Sequence, residues 1–189
     1  MRRAIEELTG ARLFPARRFP DERGFVLQSY TQSGLNAQGI SAEFKQALQS
    51  QSRRGVVRGL HFQWDPPQGK LVRCVRGAVL DVVVDIRHGS PTLGEHAAVE
   101  LSAANAFVLW VPPGFAHGFM ALAEDSHVFY ECTEEWSSTG EGGILWSDPA
   151  LGIEWPALQP IVSEKDSLAP TLAQWLADPR SNRFRMPAA

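Results

Sequence analysis

Cysteine is scarce: the chain has two in 189 residues, Cys74 and Cys132. Each sits in an apolar-rich run, so both are expected to be buried free thiols, which suits a reducing cytoplasm. Long apolar runs are missing too. The opening MRRAIEELTGARLF lacks the apolar core of a secretory signal, and nowhere do about 18 apolar residues follow one another. The expectation is a soluble protein. Charge is near balance, with 18 Lys and Arg against 21 Asp and Glu and a formal net charge of −3, which argues against nucleic-acid or anionic-membrane partners. Local basic clusters remain compatible with a small phosphorylated ligand. The chain has no Gly-x-Gly-x-x-Gly or phosphate-loop pattern, no Gly-x-Ser-x-Gly elbow, and no His next to either cysteine. Hydride and phosphoryl transfer therefore drop out, and Ser or Cys nucleophiles are left as weak alternatives. Repeats, low-complexity linkers and charge runs are also lacking, which leaves one domain over 1–178 and a loose tail over 179–189.

With 44% hydrophobic and 21% charged residues, a chain of this length can bury a real core. Residues 71–87, LVRCVRGAVLDVVVDIR, are rich in Val and Ile and alternate with period two around Asp81 and Asp85, which is β-strand sequence. Gly77 splits the run into two strands. Residues 97–102, 106–111 and 127–133 continue the series, with turns at 102–105 and 123–126. Many short strands separated by turns predict an all-β sandwich or barrel. Helical signals are confined to short stretches at 33–37 and 170–177, the second introduced by Pro170.

The chemistry narrows to histidine. His88 and His96 flank a Gly- and Pro-containing stretch and read as exposed turn residues, and His127 reads as a surface or rim residue. His61 lies in RGLHFQ, between Arg58 and Lys70. His117 lies in VPPGFAHGF, where Pro112-x-Gly114-x-x-His117 resembles the second signature of the cupin superfamily, whose small barrels often hold a metal. A metal needs three or four converging ligands, and His61-Phe62-Gln63 supplies neither a second His nor a nearby Glu. Without metal, His61 is either a structural residue at a strand end or an acid–base group, and a neutral imidazole beside a fixed cation suits proton removal next to a carbonyl. Arg23, Arg58 and Arg73 are either surface charges or a diphosphate clamp.

The motifs DERGFV (21–26), RGLHFQ (58–63), QGKLVRCVRGAVLDVVVDIRHGSPTLG (68–94), ELSAANAFVLWVPPGFAHGF (100–119), FYECT (129–133), GGILWSDPALGIEWP (142–156) and SEKD (163–166) closely resemble, in one order, the dTDP-4-dehydrorhamnose 3,5-epimerases. The resemblance implies a cupin-like jelly roll with a few short helices, acting as a homodimer on a dTDP-4-keto-6-deoxy sugar without metal or other cofactor. It implies His61 as base paired with Asp166, Lys70 at the enolate oxygen, and Tyr130 as acid on the opposite face. It places His117 in the site, with Asp81 behind it, and Arg23, Phe25, Gln46 and Arg58 against nucleotide or sugar.

The pattern also breaks, at Phe25-Val26-Leu27-Gln28, at Gln46-Ala47-Leu48, at Phe62, and at Trp136 where the family carries an aromatic hydroxyl. These positions concern substrate contact. Four readings follow: the double epimerase, a paralogue inverting one carbon of a related keto sugar, a metal-dependent cupin isomerase or dioxygenase, and a non-catalytic sugar-nucleotide-binding module.

Overall fold

The computed structural model describes residues 2–8 and 10–186. Two sheets stack face to face. The larger has the spatial order β1 (Arg2–Arg3), β9 (His96–Ser102), β8 (Ala78–Asp85), β11 (Phe115–Ala121), β6 (Val57–Gln63) and β13 (Glu141–Gly143). The smaller runs β2 (Arg12–Pro15), β10 (Phe107–Val111), β7 (Lys70–Arg76), β12 (Ser126–Cys132) and β5 (Gln46–Ser52). A separate hairpin pairs β3 (Arg17–Asp21) with β4 (Gly24–Gln28). Helices α1 (Gln32–Ala37), α2 (Glu164–Ser167) and α3 (Leu172–Ala177) are short, and 3-10 turns cover Ile5–Glu7 and Pro179–Phe184.

Alternation along each strand decides what faces what. Val72 and Cys74 of β7, Leu109 and Val111 of β10, and Val128 of β12 point between the sheets, where they meet Val79, Val83, Leu101, Phe115 and Phe119. The outer face of the smaller sheet, with Leu71, Val108 and Trp110, lies under Leu35 of α1 and Ile40. The outer face of the larger sheet is covered as well: Leu60, Phe62, Val82 and Val84 pack on Ile144, Leu151, Leu172, Trp175 and Phe184. Each such side chain taken fully from water contributes about 1.5–3 kcal/mol before entropy is counted. Burial on both faces explains why β8 reads VLDVVVD, a nearly unbroken apolar run.

Three expectations change. Residues 179–184 form no loose tail: they make a 3-10 turn capped by Asp178, and Phe184 reaches into the apolar layer beside Phe62 and Trp175; residues 187–189 lie outside the described residues. His96 is no exposed turn residue, because it opens β9 opposite Val84 and is 1% exposed. His88 is half-buried, its Nε2 2.8 Å from the Ser181 hydroxyl. The loop before β9 is compact because the buried Asp85 carboxylate accepts from Arg87, Ser90 and Thr92. His127 sits at the rim, between Asp125 and Gln49.

Candidate active site

Between the sheets, where β6 and β11 face β5, β7 and β12, lies a cavity of ≈ 550 Å³. His61 and His117 are directly opposed in the β6–β11 pairing, just before a bulge between His117 and Phe119. Two glycines permit this approach. Gly59 holds φ +127°, and a Cβ there would stand 2.6 Å from the Gly118 Cα and 2.8 Å from the His117 carbonyl oxygen. Only a residue without a side chain fits.

Each histidine is backed by a buried carboxylate. His61 Nε2 lies 2.6 Å from Asp166 Oδ1, and Oδ2 of the same carboxylate accepts from the Gly59 N–H at 3.2 Å. Asp166 belongs to α2, whose first turn is fixed by the Ser163 hydroxyl accepting from the Asp166 N–H. Burial alone would raise the Asp166 pKa. The hydrogen bond and charge of His61, with the Gly59 N–H and Ser163, outweigh it and hold the carboxyl below its ordinary range. His117 Nε2 sits 2.9 and 3.0 Å from the two oxygens of Asp81, both side chains almost wholly enclosed. Burial pushes Asp81 up, against the pull of His117 and Lys70. The polar positions of β8 thus face inward, tolerated because each carboxylate is paired.

The facing wall comes from the smaller sheet. Lys70 pairs across with Cys132, and Tyr130 with Val72, so both side chains project from the same face. Lys70 Nζ reaches to 3.5 Å from the His61 carbonyl oxygen, and burial lowers its pKa. Burial raises the Tyr130 phenol well above its ordinary value, and its ring meets His117 edge-on at 6.1 Å. An imidazole with its carboxylate, an enclosed lysine and a buried phenol therefore line one cavity, a set of groups able to move a proton off one face of a carbon acid and onto the other.

At the mouth stand Gln46, Arg58 and Trp136, with the Lys165–Glu141 ion pair at 2.6 Å. Gln46 Oε1 accepts from the Trp136 N–H at 2.9 Å, and Arg58 is fixed by the Ser52 hydroxyl and the Gln51 carbonyl, each at 3.0 Å. Three expected contact residues are elsewhere. Arg23 is at the hairpin turn, paired with Asp21 at 2.6 Å. Phe25 is 58% exposed beneath Arg18. Arg73 points to the outer face of β7, because strand alternation sends Lys70 and Val72 inward and Arg73 out, and its guanidinium lies over Phe129. Within one chain the three arginines do not form a clamp. Sequence reasoning missed Ser50, Glu141 and Lys165; the period-two row Gln46, Leu48, Ser50 of β5 was the available signal for Ser50. Among the described residues no three His, Cys, Asp or Glu side chains converge as a metal-ligand set.

The family model described as dTDP-4-dehydrorhamnose 3,5-epimerase matches residues 6–174. A dTDP-4-dehydrorhamnose 3,5-epimerase from Salmonella typhimurium is 50% identical over 161 residues, 84% of this chain and 88% of the relative. A crystal structure of dTDP-6-deoxy-D-glucose-3,5-epimerase from Legionella pneumophila, in complex with dTDP-4-keto-L-rhamnose, superimposes with a TM-score of 0.87 at 39% identity, covering 95% of this chain and 94% of that one. A 3'-monoepimerase from Streptomyces bikiniensis, in complex with dTDP-quinovose, matches with a TM-score of 0.84 at 32% identity over 93% of this chain and 89% of its own. On this evidence the chain belongs to the dTDP-4-dehydrorhamnose 3,5-epimerase family, isomerases of cupin-like fold that act on a sugar nucleotide.

Proposed function

We propose that this protein epimerises a dTDP-4-keto-6-deoxyhexose through an enolate. The observation that carries the reading is the His61–Asp166 pair facing Lys70 and Tyr130 across one cavity. With Nε2 donating to Asp166, His61 Nδ1 takes the proton from the carbon beside the 4-keto group, and Asp166 holds the ring and stabilises the imidazolium. The C–H electron pair becomes the enolate, whose oxygen meets the Lys70 ammonium. Tyr130, kept neutral by burial, gives its proton to the opposite face, leaving imidazolium and phenolate to be reset by solvent before the next turn. No metal enters this scheme.

The cytoplasm is the proposed location and a homodimer the proposed assembly. Arg23 and Phe25, which the family resemblance sets against substrate, lie outside the cavity of their own chain on a hairpin that pairs only with itself among the described strands. A second chain presenting that hairpin would bring them to a cavity. A reading with one inverted carbon is favoured at a single point, the exposed Trp136 at the mouth.

The test follows dTDP-4-keto-6-deoxyglucose by NMR in heavy water. Deuterium should enter beside the keto group with inversion, and His61→Asn should fold normally yet lose roughly two decades or more of rate. Asp166→Asn should act in the same direction. Unchanged turnover in His61→Asn would overturn the mechanism, and turnover abolished by chelation and restored by a divalent ion would replace it.

A further inference from the structure

One polar group in the cavity is used by nothing described so far. The Ser50 hydroxyl is enclosed, lines the cavity, and makes no hydrogen bond of full geometry, although it stands close enough to the Tyr130 phenol to favour its charged form. An unpaired buried hydroxyl weakens a fold, so such groups are few and call for a reason. Its place suggests one. On the β5–β12 pairing Ser50 is opposite Val128 and Leu48 is opposite Tyr130, so Ser50 is the diagonal neighbour of Tyr130, within reach of an aromatic side chain. The other groups around the phenol are His117, Asp81, Arg58 and Cys132. Burial makes phenolate costly there, and among the opposing influences the Ser50 hydroxyl is the largest.

We propose that Ser50 is a positioning residue for Tyr130, turning its hydroxyl hydrogen to the phenolate oxygen as it forms. The proposal rests on the reading of Tyr130 as the acid. In that step the Tyr130 O–H bond breaks, a C–H bond forms at the enolate carbon, and the O–H electron pair stays on the phenolate. Ser50 donates a hydrogen bond and keeps its own proton. The hydroxyl already stands beside the neutral phenol, and its hydrogen bond strengthens as charge develops on the phenolate.

The experiment compares wild type, Ser50→Ala and Ser50→Thr with dTDP-4-keto-6-deoxyglucose in heavy water, scoring deuterium entry and inversion separately, alongside thermal unfolding. Proton removal by His61 does not involve Ser50, so in Ser50→Ala deuterium entry with retention should persist near the wild-type rate. Inversion should fall about ten- to a hundredfold, the effect of losing one hydrogen bond to a charged group. The melting temperature should be unchanged or higher, and Ser50→Thr should restore inversion to within about threefold of wild type. Equal inversion in Ser50→Ala, a parallel fall of exchange and inversion, or a variant that fails to fold would each overturn the role given to Ser50. A wild-type protein that neither exchanges nor inverts would instead overturn the function on which this role depends.

Discussion

At the mouth of the cavity, Trp136 exposes 60% of its surface and Leu48 40%; the indole offers a single N–H donor and no acceptor, and the leucine offers neither. The family pattern carries an aromatic hydroxyl at the first position and an amide at the second. On the proposed mechanism, inverting two carbons requires the sugar to be held in two poses, each with one C–H bond aimed at His61, and a shift of about 1 Å in either can cost roughly a hundredfold. A substrate polar atom facing an apolar wall loses its water without gaining a partner. The expected outcome is unequal exchange at the two α-carbons, with Trp136→Tyr accelerating the slower site by about tenfold. Position-resolved deuterium incorporation measures it, and complete labelling at both carbons at one rate in the wild type would sink the idea.

Among the elements, β8 and the loop after it depend on one carboxylate. Asp85 is fully enclosed, Arg87 Nη2 lies 2.6 Å from its Oδ2, and the Thr92 hydroxyl is 2.7 Å away. Burial pushes its pKa up, but the donors from Arg87, Ser90 and Thr92 outweigh burial and hold it below the ordinary carboxylate range. A carboxyl depressed on folding stabilises in full above its unfolded pKa of about 3.9, and that contribution disappears as the pH falls through the folded value. Asp85→Asn should therefore cost about 3 kcal/mol at pH 7, with the difference from wild type shrinking below about pH 4. Urea unfolding at both pH values tests the sign as well as the size. The strands around Gly77 were legible because Val and Ile alternate there, and Gly77 itself adopts φ +71°. The row QALQSQS of β5 was not, since its outward positions are polar or small and its inward ones mixed, which leaves no apolar period to see. Tail and loop were misread for a related reason: Phe184 and His96 are buried by partners distant in sequence, about which local composition says nothing. His61 and Lys70 stand out by residue chemistry as well as motif, Tyr130 and Asp166 by motif resemblance alone, and strand parity turns Arg73, open between surface charge and clamp, to the outer face of β7.

On the scale of the whole molecule, the hairpin of β3 and β4 carries Phe19, Phe25 and Val26 with 41%, 58% and 67% of their surfaces exposed. Three large apolar side chains together on one projecting ribbon are the kind of surface that another chain covers. Sedimentation equilibrium should give twice the chain mass for the wild type and a monomer for Phe25→Glu combined with Val26→Glu, with turnover falling in the variant. A monomeric wild type would remove the dimer from the scheme. The pairing of His61 with Asp166 spans 105 residues of chain, and that interval is also an interval in time. At about 5–20 residues per second of synthesis, the imidazole leaves the ribosome roughly 5–20 s before the carboxylate that orients it. A nascent chain can thus pair β6 with β11 before Asp166 is made, and on the proposed mechanism synthesis arms the enzyme only near its end.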